Sequence, residues 1–276
     1  MQIKRELYLN QLIAGRKNGL IKIITGIRRC GKSYLLFTLF HGYLVSQGID
    51  ENHIIEIALD DRMNVSLRDP DAILHYIREQ IVDKELYYVL LDEVQLIPQF
   101  EEVLNSLLHV RNADVYVTGS NSRFLSSDII TEFRGRGDEI HLYPLSFSEF
   151  CEGYQGDRNK AWKEYYTYGG LPLVLTLETE KKKVDYLDNL YKSVYLVDIL
   201  ERNKIRNRDD LDELVRIMAS TVGSPANPTK LSNTFKSVKN VDIHHQTISK
   251  YLSYLEDAFL IEKAIRYDIK GKKYIN

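Results

Sequence analysis

The 276-residue chain contains no apolar run near the ~20 residues that a membrane-spanning helix needs. Its opening stretch, MQIKRELYLNQLIAGRKNG, lacks the unbroken apolar core of a secretion signal. Only two cysteines, Cys30 and Cys151, are present, too few for a disulfide framework or a thiolate metal site. These absences point to the cytoplasm and away from a membrane partner. A strong charge of either sign is also missing, and a formal net charge of −2 gives no global attraction to nucleic acid. There is no internal repeat and no low-complexity tract. What remains is an ordinary globular composition, 44% hydrophobic and 28% charged, on a chain long enough for two or three folding units.

Charge is unevenly distributed along the chain. Residues 228–276 hold nine Lys and Arg against five Asp and Glu, a basic end on a mildly acidic body. That end suits a local polyanion contact, and it equally suits a scatter of solvated lysines.

Up to about residue 150, short apolar runs alternate with helical patterns. The runs at 21–25 (IKIIT), 54–59, 87–91 (YYVLL), 115–118 and 139–143 read as strands. Helical patterns fall at 32–47, at 71–82 and after Pro98. Continuous apolar strands separated by helices predict a parallel sheet covered on both faces, hence an α/β fold. After Leu145 the strands cease and helical patterns follow one another. The Gly and Pro punctuation of GSPANP, 223–228, marks a boundary. Beyond it come a short helix near 231–237 and a longer one over 244–262, in which Ile248, Tyr251, Leu252, Leu255 and Phe259 recur at helical spacing. The last residues, AIRYDIKGKKYIN, read as a hairpin around Gly271. The expected domains are 1–150, 151–222 and 228–276.

The chemistry concentrates in GIRRCGKS, Gly26, Ile27, Arg28, Arg29, Cys30, Gly31, Lys32 and Ser33, with Tyr34 next in the chain. The octapeptide fits G-x-x-x-x-G-K-S/T and lies between a predicted strand and a predicted helix, the context a P-loop requires. Its glycines permit backbone geometry in which successive N–H groups face phosphate oxygens. The helix start adds its positive dipole end. Lys32 is expected to reach the outer phosphates of ATP and Ser33 to ligate Mg2+. Cys30, among these amides, would have a lowered thiol pKa if it behaves as cysteines at helix starts do; the plainer expectation is a small residue that fits the loop.

YYVLLDEVQ supplies Asp92 and Glu93 at a strand's C-terminal end, where α/β sheets bind ligands. Asp92 suits metal binding and Glu93 suits activation of the attacking water. At the end of the next strand, VYVTGSNS offers Ser120 or Asn121 to the γ-phosphate or that water, and Ser120 is preferred.

The P-loop, the Asp-Glu pair and the polar strand end together resemble the AAA+ ATPases. The segments GIRRCGKS, TGSNS, RGR and PLSFSEF resemble more closely a prokaryotic group of AAA+-like ATPases, across essentially the whole chain. That resemblance implies a P-loop NTPase fold: a parallel five-stranded sheet with the P-loop strand central, a helical lid over 151–222, and a small winged helix-turn-helix over 228–276. It also implies an arginine finger acting in trans within a homo-oligomer, either Arg134 or Arg136, with Arg136 preferred for standing nearest the strand. In the winged helix, His245, Gln246, Ser249 and Lys250 would face duplex DNA from the recognition helix, and Lys270, Lys272 and Lys273 from the wing. Members of the group often carry a further nuclease-like domain, which residues 1–276 do not contain. The function expected is Mg-dependent ATP hydrolysis driving a conformational change coupled to DNA or a protein. A non-hydrolysing ATP-dependent switch and a small-substrate phosphotransferase are its rivals.

Overall fold

The computed structural model describes residues 3–119, 135–205, 207–239 and 243–264. The chain divides into two compact units, 1–187 and 188–276. The cut falls inside the 151–222 segment expected as a lid.

The first unit is built on five parallel strands, β1 (Ile21–Thr25), β2 (Ile54–Ala58), β3 (Tyr87–Asp92), β4 (Ala113–Thr118) and β5 (Gly137–His141). Their order is β2-β3-β4-β1-β5. The α/β expectation therefore holds, with one correction: β1 is interior but fourth of five, not central. β4 and β5 pair its two edges, and the packed layers on either side of the sheet bury its two faces.

Alternation along the strands divides the core into two layers. Ile21, Ile23, Val89, Leu91, Val115 and Val117 face one side. There they meet Ile73 and Ile77 of α3 (Pro70–Gln80) and Phe100, Val103, Leu104 and Leu107 of α4 (Phe100–Leu107). Ile24, Tyr88, Leu90, Tyr116 and Ile140 face the other side. They pack on Tyr8 and Leu12 of α1 (Glu6–Ala14) and on Leu35, Leu36, Leu39 and Phe40 of α2 (32–46). Helix α2 spans 32–46 and contains a π-helical stretch, Leu35–Phe40. Beneath the sheet, at the N-terminal ends of β1 and β4, fully buried Lys22 is ion-paired with Asp114 and lies 4.5 Å from the Tyr116 ring centre. Tyr116 also donates to Asp114 at 2.9 Å.

After β5 the first unit continues as α5 (Phe147–Gly153), α6 (Arg158–Tyr168) and α7 (Glu180–Leu190), the last crossing into the second unit. The PLSFSEF segment has a structural explanation: Ser146 and Glu149 form a capping box, and Phe150 is buried. Glu149 also receives buried Arg5 at 3.1 Å, which ties the N-terminal segment to α5.

The second unit, as described, is helical. Helices α8 (Leu196–Arg202), α9 (Arg208–Ser220), α10 (Pro228–Thr234) and α11 (His245–Asp257) pack around Ile199, Leu211, Leu214, Leu231, Ile248 and Leu255. Helix α11 is shorter than the expected 244–262. Phe259 turns left-handed at φ 57° and Leu260 N–H returns to the Leu255 carbonyl at 3.0 Å, closing the helix.

Candidate nucleotide site

The eight-residue loop begins where β1 ends and gives way to α2 at Lys32. Gly26 has φ +139°, and a Cβ there would stand 2.2 Å from the Leu142 carbonyl oxygen, so no side chain fits. Gly31 has φ +104°. Arg29, at φ +68°, is the non-glycine residue of the loop that adopts the left-handed region. Positive φ at Gly26, Arg29 and Gly31 lets the chain turn tightly between the end of β1 and the start of α2.

Lys32 is buried, and its Nζ donates to the carbonyls of Gly26 at 3.0 Å and Ile27 at 3.2 Å. The ammonium thus spans the loop from within. Cys30 is fully buried against the second core layer, and burial pushes its thiol pKa up, with Lys32 and Arg5 opposing. The expectation of a lowered thiol pKa is therefore corrected: desolvation outweighs the neighbouring charge. Tyr34, half-buried one residue after the loop, likewise has its phenol pushed up by burial.

At the end of β3, Asp92 is buried at 3% exposure. Burial pushes its carboxyl up, while hydrogen bonds from Thr118 and Ser33 act the other way and Glu93 and Asp60 add to the rise. Glu93 leaves the strand in the left-handed region at φ 55°. Its N–H donates to Thr118 Oγ1 at 3.0 Å, and its carboxylate accepts from Gln95 Nε2. Thr118, fully buried at the end of β4, thus accepts from Glu93 and donates to Asp92. It orients both acids at once. Sequence reading passed over it for Ser120; its one signal was a β-branched hydroxyl at a strand terminus beside the Asp-Glu strand.

Ser33 and Asp92 are thereby brought into hydrogen-bond contact from two elements. They supply hard oxygen donors, and a carboxylate that burial disfavours is one that a cation would relieve, so the pair fits Mg2+. Among the described residues no group of three or more His, Cys, Asp and Glu could hold a metal.

On the opposite flank of the loop, Thr25 closes β1 with bonds to Glu139 Oε1 at 3.0 Å and to His141 Nδ1 at 2.9 Å. Burial pushes the Glu139 carboxyl up. This trio of polar groups at the base of the loop was not anticipated.

Comparison with known proteins agrees with this geometry. An AAA domain profile matches residues 18–151, and a domain of unknown function (DUF8612) matches 159–275. An uncharacterized protein of Haemophilus influenzae is 37% identical over 279 residues, covering 99% of this chain and 69% of its own length. The chain belongs to the AAA-like P-loop family. The uncharacterized protein MJ1544 of Methanocaldococcus jannaschii is 27% identical over 268 residues, and there the chain spans 58% of the relative's length. In fold, this AAA-like chain is similar to the Walker-type ATPase PABY2304 of Pyrococcus abyssi. The TM-score is 0.58 at 16% identity, over 93% of this chain and 90% of that one.

The remaining expected residues fall in three places. Arg136 is exposed just before β5, and its carbonyl accepts from Ile21 N–H at 2.9 Å. That is the end of the sheet opposite the P-loop, so Arg136 does not enter this chain's own site. His245, Gln246, Ser249 and Lys250 all lie on α11, with His245, Gln246, Ser249 and Lys250 turned away from its buried face of Ile248, Tyr251 and Leu255. Ser120, Asn121, Arg134, Lys270, Lys272 and Lys273 lie outside the described residues, as does the expected wing. No helix among the described residues is long and apolar enough to cross a membrane.

Proposed function

We propose that this AAA-like chain is a Mg-dependent ATPase. The observation that carries the reading is the hydrogen-bonded chain from Ser33 through Asp92 and Thr118 to the Glu93 backbone, beside a complete P-loop. In this reading Ser33 and Asp92 are the metal-ligating hydroxyl and carboxylate and Glu93 is the general base, and their neighbourhood at one end of the sheet supports it.

In this reading the loop amides and the N-terminus of α2 hold the phosphates, and Lys32 exchanges its carbonyl partners for outer phosphate oxygens. Ser33 and Asp92 would hold Mg2+, which neutralises charge developing on the transferred phosphoryl group. Glu93 accepts a proton from water as the water oxygen bonds to the γ-phosphorus. The bond from that phosphorus to the bridging oxygen breaks, and ADP departs with the electron pair. Arg136 would serve a neighbouring subunit's site in trans, which its exposure and distance from its own loop support. The polar face of α11, in a basic segment, supports coupling to duplex DNA through a winged helix over 228–276.

The test is ATP hydrolysis measured against protein concentration for wild type and Glu93→Gln, with and without duplex DNA. Turnover that vanishes in the variant, rises faster than linearly with concentration and increases with DNA is the expected result. Tight ATP binding without turnover under every condition would make the chain a nucleotide-controlled switch instead.

A further inference from the structure

Helix α6 leaves two large aromatic side chains in solvent. Trp162 is 51% exposed and Tyr166 63%, although tryptophan is strongly buried on average. At the helical pitch Arg158, Asn159, Trp162, Lys163 and Tyr166 fall within an arc of about 140°, and all five are exposed. The other side of α6 meets the core through Ala161 and through Tyr165, whose hydroxyl donates to the Leu145 carbonyl at 3.0 Å. Glu164, the acid of this helix, lies off the exposed arc and is ion-paired with Lys183 of α7. Arg158 and Lys163 have no ion-pair partner among the described residues. Phe147 of α5 meets the Trp162 ring edge-on at 4.9 Å, and the Arg158 guanidinium lies 5.7 Å from the Phe147 ring centre. The Trp162 and Tyr166 ring centres are 6.0 Å apart. All these residues belong to the first unit.

Two cations without carboxylates and two solvent-facing rings on one helix face match a run of phosphates carrying planar, unpaired bases. We propose that this face of α6 binds single-stranded DNA, with bases stacked on Trp162 and Tyr166 and phosphates held by Arg158 and Lys163. Every base has a π-face, so the surface selects for strandedness rather than sequence. In a duplex both faces of an internal base are covered by its neighbours, which leaves the rings nothing to stack on. Recognition of RNA draws on its 2′-hydroxyl, and the exposed arc carries no carboxylate to accept from that group. Phe147 and Tyr165 fix the Trp162 ring before a strand arrives, so little side-chain freedom is lost on binding. This binding needs neither the P-loop nor nucleotide hydrolysis.

Trp162 is the single tryptophan of the chain, so its emission reports on α6 alone. The experiment titrates the full chain with oligothymidylate of about 15 nucleotides, with a DNA duplex of the same length and with the matching oligouridylate. Tryptophan emission and the anisotropy of an end-labelled strand are read at several salt concentrations. Saturable quenching by the DNA single strand is expected, with log K falling against log salt at a slope of about −1.4 for two phosphates. Arg158→Gln and Lys163→Gln should each bring that slope to about −0.7. Tyr166→Leu should weaken binding about 10-fold with the slope unchanged, and Trp162→Leu, read by anisotropy, should lose about the same factor. All four positions are exposed, so the variants should melt with wild type. Variants that melt with wild type and also bind as it does overturn the proposal, as does the absence of binding. An anisotropy rise without quenching puts the strand elsewhere on the chain and overturns it too. So does equal affinity for the duplex or tighter binding of the RNA strand. An emission change with protein concentration alone marks the face as a contact between copies, which again overturns it.

Discussion

Replacing Thr118 with Val changes almost no volume yet removes the group that links the two acids. Two effects add. Asp92 loses a charge-assisted hydrogen bond, typically worth ~1.5–3 kcal/mol, and the Glu93 N–H loses its acceptor at a cost of ~1–3 kcal/mol. Ser33 still donates to Asp92, so the net loss is about 3 kcal/mol, or about 6–12 °C in Tm for a unit of this size. Glu93 is a non-glycine residue at φ 55°, a conformation that persists only while its surroundings hold it. Released from Thr118, its carboxylate shifts, and a misplacement of ~1 Å can lower turnover about 100-fold. The variant also loses a bond that opposes the rise in the Asp92 carboxyl pKa, so magnesium must compete with a more tightly held proton. The acid limb of Mg-ATP binding should therefore move to higher pH. Thermal melting, steady-state turnover and Mg-ATP binding across pH 5–8 measure all three. Thr118→Ser keeps the hydroxyl and should recover the turnover and the pH limb while losing only methyl packing. If the Val variant matches wild type in melting temperature and in turnover, the linking role assigned to Thr118 is wrong.

Other expectations follow from the same geometry. Asp92→Asn should abolish magnesium-dependent binding while leaving the nucleotide-free fold as stable or more so. The Asp92 carboxyl pKa is raised on folding, so its ionised form costs stability as pH climbs above the unfolded value, and wild type should gain on the variant as pH falls; melting both at pH 5 and pH 8 checks the sign. Gly26→Ala should lose nucleotide binding and lower the melting temperature, because its Cβ would meet the Leu142 carbonyl at 2.2 Å; calorimetry and melting read both. Lys22→Met should destabilise by about 3–5 kcal/mol by leaving Asp114 buried without its cation, and the double variant Lys22→Met, Asp114→Asn should recover part of that in denaturant titrations. Under native conditions at pH 8, alkylation should label the partly exposed Cys151 and leave the buried Cys30 unmodified until the chain unfolds.

Much of the first unit can be read from local pattern. The apolar runs that became β1 to β5, the glycine spacing of residues 26–33 and the strand-terminal position of Asp92 and Glu93 are all short-range features, and short-range features survive translation into sequence. A P-loop is legible because Gly26 and Gly31 answer to backbone sterics within a few residues of themselves. The strand order was harder: placing β1 fourth rather than central depends on which crossovers pack, and no single strand encodes that. Helix α11 ends early because Phe259 adopts a left-handed conformation, which an apolar residue at helical spacing does not announce.

What the sequence determined by itself was the fold class and the loop on which a phosphate would rest, because hydrophobic periodicity and glycine conformation are properties of neighbours in the chain. What only the tertiary structure decided was how side chains from different strands meet. Thr118 reaches Asp92 and Glu93 across a β3–β4 pairing separated by 25 or 26 residues. Cys30 titrates upward because a core layer from β1, β3, β4 and α2 closes over it, excluding water that the loop's own charges could not replace. Those contacts depend on distances that chain connectivity leaves free and packing sets.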